Sequence, residues 1–105
     1  MIAWSESARD DLGKVEARLS QQGKTGLGKE IVSRINLAAE RLKHFPLAGR
    51  KGRIAGTREL MMPQNPYLVV YIVEKPKHIG IVRVLPVERL WPENIYFQAG
   101  IPPCG

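Results

Sequence analysis

Tyr67-Leu68-Val69-Val70-Tyr71-Ile72-Val73 is the stretch on which the fold turns. All seven residues are aliphatic or aromatic, and most are β-branched or aromatic. The run is too short for a typical helix, and it lacks the polar alternation of a half-exposed strand. It therefore reads as a central strand covered on both faces. Downstream, Lys75-Pro76-Lys77 is a turn, because proline presets the backbone angle. Ile79 to Leu85 follows as the last strand, apolar except for Gly80 and Arg83. Upstream, Arg58 to Met62 is a further strand, stopped by Pro63. Strands in series with short connections form an antiparallel meander.

Before this meander the character is different. From Lys43 to Arg58 the chain holds Lys43, Arg50, Lys51, Arg53 and Arg58, with no acidic residue. Gly49, Gly52 and Gly56 interrupt the stretch, so it reads as a loop or a weak strand. Earlier still come two amphipathic helices. Ala8, Leu12, Val15 and Leu19 share one face, after the N-cap candidates Ser5 and Ser7. Leu27, Ile31, Ile35, Ala38, Leu42 and Phe45 form a second stripe, with Thr25 as a candidate cap and Pro46 as its stop. Gly23 and Gly26 separate the two, which predicts an antiparallel helical hairpin. Ile2-Ala3-Trp4 is either an edge strand or the lead-in to the first helix.

The order is thus β-α-α-β-β-β, an α+β fold. Its N-terminal helical hairpin packs on one face of a small antiparallel sheet. The other face is expected to be open, shallow and basic. Residues 1–92 form one domain, and 93–105 an irregular tail. Glu93-Asn94-Ile95-Tyr96-Phe97-Gln98 resembles a protease site used to remove purification tags, so the tail is either native or such a remnant. No function is assigned to it.

At 105 residues the chain is long enough for one modest core, and 44% hydrophobic with 25% charged residues is a globular composition. Net charge is +6. That favours an anionic partner, either nucleic acid or an acidic protein segment. Cys104 stands alone, so no intrachain disulfide can form, as suits a reducing compartment. The chain opens without an apolar leader, and no run reaches membrane-spanning length. A cytoplasmic location without membrane contact is expected.

No Cys/His cluster with metal spacing, phosphate-binding glycine loop or serine-nucleophile elbow is present. Neither a metal nor another cofactor is expected. The positive signal is cationic. Arg50, Lys51, Arg53 and Arg58 stand around the entry to the sheet, with Arg83 and Arg89 near its exit. A meander places its first and last strands on either side of the middle one, so as a set these groups are expected to converge. Arg83 interrupts an apolar strand, and so it either points to the open face or needs a buried acid. Trp91 either packs at the sheet edge or belongs to a protein-binding surface.

Four segments together resemble the RelE/ParE toxin superfamily of type II toxin–antitoxin systems. They are Gly49-Arg50-Lys51-Gly52-Arg53-Ile54-Ala55-Gly56-Thr57-Arg58-Glu59-Leu60, Pro66-Tyr67-Leu68-Val69-Val70-Tyr71, Ile81-Val82-Arg83-Val84-Leu85 and Arg89-Leu90-Trp91-Pro92. Trp4-Ser5, Ala8, Asp11 and Leu12 also fit, so the likeness spans residues 1–92.

The resemblance implies a helical hairpin on a sheet, and a cognate antitoxin whose flexible acidic segment wraps the toxin in a hetero-oligomer. It also implies growth inhibition, with a role in plasmid stabilisation. ParE-like members poison DNA gyrase. RelE-like members enter the ribosome and cut mRNA without a metal, using cations and a late Tyr or His. On the second reading Arg58, Arg83, Lys51 and Arg53 are the catalytic candidates. Pro86 stands where many RelE-like relatives carry His, and Tyr96 lies in the irregular tail. The ParE-like, non-enzymatic branch is therefore favoured. On that branch Arg50, Lys51, Arg53, Arg58, Arg83, Arg89 and Trp91 are the target- or antitoxin-binding set.

Overall fold

The computed structural model describes residues 2–62, 67–75 and 78–86. Seven elements follow in order: β1 (Ile2–Trp4), α1 (Glu6–Gln21), α2 (Thr25–Leu42), β2 (Arg50–Lys51), β3 (Arg58–Met61), β4 (Tyr67–Lys75) and β5 (His78–Pro86). The sheet order is β1-β5-β4-β3-β2. The fold is α+β, with the helical hairpin at the N-terminus as the periodicity predicts.

Local chemistry sets the helix ends. Ser5 is the N-cap of α1, its Oγ accepting from the Ala8 N–H at 3.0 Å. That hydroxyl also donates to the Val82 carbonyl at 2.7 Å, which ties the helix start to β5. After α1, Gly23 adopts a positive φ of 75°. The Lys24 N–H then reaches the Leu19 carbonyl and the Gly23 N–H the Ser20 carbonyl, a Schellman end that only a residue tolerant of positive φ accepts easily. Lys24 occupies the cap position of α2 without a side-chain bond, and Thr25 is the first helical residue.

The core lies between the hairpin and one sheet face. Ala8, Val15, Leu19, Ile31, Ile35, Ala39 and Leu42 pack there with Val69, Tyr71, Ile79, Ile81 and Val84. The α2 stripe is rotated slightly from the expected one. Gly28 and Ala39 are buried, whereas Leu27 and Phe45 are exposed. Close helix packing explains this, since a Cβ at Gly28 would stand 3.4 Å from Glu16 Cα and Leu19 Cβ. The hairpin favours a small residue where its axes approach.

The sheet differs from a plain antiparallel meander in two ways. β2 adds a two-residue strand, paired Arg50 to Glu59 and Lys51 to Arg58. It realises the weak strand expected in the basic stretch. β1 runs parallel to β5, pairing Ile2 with Ile79 and Trp4 with Ile81. The two helices separate β1 from the next strand, so no tight turn imposes antiparallel pairing on it.

β4 is buried on both sides, as its unbroken apolar run requires. Leu68 and Val70 alternate away from the helix-packed Val69 and Tyr71, yet both are fully buried. The second face is therefore not open at its centre, a correction to the shallow, bare surface expected. Leu85, the cross-strand neighbour of Leu68, is also buried.

Candidate functional site

The basic stretch is organised around two buried polar groups, the Glu59 carboxylate and the Tyr71 hydroxyl. Glu59 follows Arg58 on β3, so alternation turns it to the opposite face. Its side chain is 1% exposed. A carboxylate there needs partners, because uncompensated burial of charge is costly. Arg50 Nη2 donates to Oε1 at 3.3 Å, and the Arg53 backbone N–H donates to Oε2 at 3.1 Å. One acid thus holds both β2 and the loop that joins it to β3. Thr57 closes the loop from within, its Oγ1 donating to the Ile54 carbonyl at 2.7 Å. The Arg50 side chain stays 59% exposed despite its pairing. Lys51 and Arg53 are both exposed.

Tyr71 braces the other flank. Its hydroxyl donates to the Pro46 carbonyl at 2.8 Å and accepts from the Gly49 N–H at 2.9 Å. Arg58 Nη1 donates to the Gly49 carbonyl at 2.6 Å. Gly49 sits so close to the sheet that a Cβ would meet the Glu59 carbonyl at 2.7 Å and the tyrosine ring at 2.8 Å. Only glycine fits there. Burial raises the Tyr71 pKa above its ordinary value, while the Gly49 hydrogen bond and the Arg58 charge oppose that shift.

Arg83 takes the second of its two expected options. It is 8% exposed, and Asp11 on α1 is its buried acid. Arg83 Nε donates to Asp11 Oδ2 at 2.7 Å and Nη2 donates to Oδ1 at 3.0 Å. The Val84 N–H also donates to Oδ2, at 2.9 Å. β1 pairs with β5 only as far as Ile81, so at Val84 the β1 side of β5 has no strand partner. Asp11 serves as the missing acceptor.

The cations are therefore divided. Arg50, Lys51, Arg53 and Arg58 gather at the β2–β3 corner. Arg58 pairs across strands with Tyr71 in the helix-packed core, so it does not join Arg50 on the opposite face. Arg83 is clasped by the first helix. Arg89 and Trp91 lie outside the described residues, as does the tail. Among the described residues, the cations expected to meet on a single open surface divide instead between one basic corner and one buried pair.

Reasoning from sequence missed Asp11 and Glu59 as organising acids. Asp11 carried a signal: Ala8, Asp11, Val15 and Leu19 keep helical spacing, and an acid within an apolar stripe needs a buried partner. Glu59 carried a weaker one, as a lone acid beside five cations. Among the described residues no three His, Cys, Asp or Glu side chains are grouped to hold a metal ion. Also among them, no helix is long and apolar enough to cross a membrane.

Residues 2–91 match the family model of the ParE toxin of type II toxin–antitoxin systems, parDE. The chain belongs to the ParE toxin family. It is 29% identical over 92 residues to Y4kP of Sinorhizobium fredii, a protein named as a candidate toxin, covering 88% of this chain and 93% of the relative. A solved chain of the chromosomal ParDE toxin–antitoxin system from P. aeruginosa shares the fold. Its TM-score is 0.73 at 24% identity, with 82% of this chain and 94% of that chain covered. Within this ParE toxin the basic corner is the cationic surface among the described residues. The hairpin and the Asp11–Arg83 clasp are its scaffold.

Proposed function

We propose that this ParE-family chain acts by binding, as an inhibitor of DNA gyrase, and is held silent by a cognate antitoxin with an acidic segment. One observation supports this over cleavage of mRNA. Two groups that a ribosome-dependent nuclease could use are already committed. Arg83 is clasped by Asp11, and the Tyr71 hydroxyl both donates and accepts inside the protein. Metal-free phosphodiester cleavage needs a proton donor or acceptor at the scissile bond and cations on the phosphate. Pro86 ends β5 where many nuclease relatives carry His. A partner-binding role asks less. It needs a rigid cationic surface, which the Glu59- and Tyr71-braced corner offers through Arg50, Lys51 and Arg53, with Arg58 bracing it from the other side at the Gly49 carbonyl and with Arg89 and Trp91, later in the chain, as further candidates.

The antitoxin part of the proposal draws on charge as well as family. Five cations within residues 43–58, followed by one buried acid, suit a segment rich in carboxylates. The resulting assembly is a toxin–antitoxin hetero-oligomer.

The test uses purified chain in two assays. The expected result is loss of gyrase supercoiling, reversed by the antitoxin, with mRNA left intact on translating ribosomes. Codon-positioned mRNA cuts with normal supercoiling would establish the nuclease reading instead.

A further inference from the structure

The most exposed large apolar side chains among the described residues stand together at the exit of α2. Phe45 is 67% exposed and Leu47 68%. Periodicity makes Phe45 the last member of the buried α2 stripe, but α2 ends at Leu42 and the chain turns before reaching it. Both side chains consequently point away from the core that their type would fill.

The loop that carries them is pinned on both sides. The Phe45 N–H donates to the Arg41 carbonyl and the Ala48 N–H to the Phe45 carbonyl, both at 3.0 Å. The Pro46 carbonyl and the Gly49 N–H meet the buried Tyr71 hydroxyl, and Arg58 holds the Gly49 carbonyl. A backbone already ordered by five hydrogen bonds has little conformational entropy left to lose when a partner arrives. Apolar side chains on such a support have the character of binding anchors rather than of a frayed helix end.

Charge indicates what they would anchor. Arg50 and Lys51 follow directly on β2, both exposed. Arg53 lies beyond them, and the acid nearest to these three cations in the sequence, Glu59, has its side chain buried. Lys43 is turned back to Glu40 at 2.7 Å. We propose that Phe45 and Leu47, with Arg50 and Lys51 beside them, form a docking knuckle for an acidic protein segment whose apolar side chains alternate with its carboxylates. This deepens the antitoxin reading above and rests on it. A lipid surface fits less well, because the two side chains sit on a tight turn rather than along a helix face. β2 is also the outermost strand of the sheet and can offer main-chain groups to an extended peptide.

The test measures binding of the full chain to its cognate antitoxin, by calorimetry. Wild type is compared with Phe45→Ser, Leu47→Ser and, as an equally exposed control on α2, Leu37→Ser. Phe45→Ser and Leu47→Ser are each expected to weaken binding about 30-fold, with Leu37→Ser unchanged. All three positions are exposed, so the variants should fold, which circular dichroism would check. If wild type binds and the two knuckle variants bind equally well, the proposal is overturned while the antitoxin reading stands. Equal losses for Leu37→Ser would overturn the assignment to the knuckle. If wild type does not bind at all, the antitoxin reading itself fails, and this proposal with it. Binding to phosphatidylserine vesicles that both knuckle variants abolish, with protein binding unaffected, would replace the segment by a membrane.

Discussion

Asp11 and Arg83, 72 residues apart in the chain, form a two-point clasp in which each carboxylate oxygen accepts one guanidinium N–H. The same carboxylate takes the Val84 N–H at the edge of β5. First helix and last described strand are thereby joined by a single side chain. Both side chains are buried, so the pair is held in a low-dielectric setting where a missing partner is felt strongly.

Removing one member should therefore be costly. Asp11→Ala takes the Asp11 carboxylate away from a buried guanidinium and a strand amide, and is expected to destabilise the fold by about 3–5 kcal/mol in urea denaturation. The double variant Asp11→Leu with Arg83→Met should recover most of that loss, since apolar replacements carry no charge to desolvate. A single variant within about 1 kcal/mol of wild type would show that the clasp is dispensable.

Tyr71→Phe tests the brace on the loop. The Pro46 carbonyl and Gly49 N–H lose their shared partner, for an expected cost of about 1–3 kcal/mol at neutral pH. A pH signature accompanies it. The folded Tyr71 pKa is raised, so the unfolded chain ionises first as pH rises. Stability is then complete below the ordinary tyrosine pKa and falls as pH climbs towards the folded value, by at most about 1.4 kcal/mol per pH unit. The wild-type minus Tyr71→Phe difference in unfolding free energy should shrink above about pH 10. A difference that stays flat or grows there would contradict the buried hydroxyl.

Gly49→Ala probes the close approach of that loop to the sheet. The added methyl meets backbone at the Glu59 carbonyl, which cannot swing aside as a long side chain would. A loss of about 1–3 kcal/mol is expected by thermal or chemical unfolding. Gly13, which has open space around its Cβ position, is the matched control, and Gly13→Ala in helix α1 should stabilise by about 0.5–1 kcal/mol.

Glu59→Gln should loosen the basic corner without unfolding the protein. It keeps an acceptor but removes the charge that strengthens the bonds from Arg50 and the Arg53 amide. The measurement is hydrogen exchange at the Arg53 amide, with about tenfold faster exchange expected and core amides of β4 unchanged. Unchanged protection at Arg53 would show that the loop is fixed by other contacts.

Much of the architecture was determined by the sequence alone. An unbroken apolar run at Tyr67–Val73, two helical stripes and turn residues at their borders each follow from local rules, because backbone periodicity and burial are written in neighbouring residues. Arg83 was legible as a choice between two fates for the same reason: a cation in an apolar strand must find water or an acid. Which fate held was decided only by the tertiary structure, since the acid lies on α1 and nothing local ties it to β5. Likewise, Phe45 fits the α2 stripe by spacing, yet the point at which the helix stops leaves it outside. The parallel docking of β1 on β5, the split of the cations between corner and core, and the fit of Gly49 against Glu59 and Tyr71 are all long-range. Each depends on how separate elements approach one another in space, and no residue's own neighbours encode that.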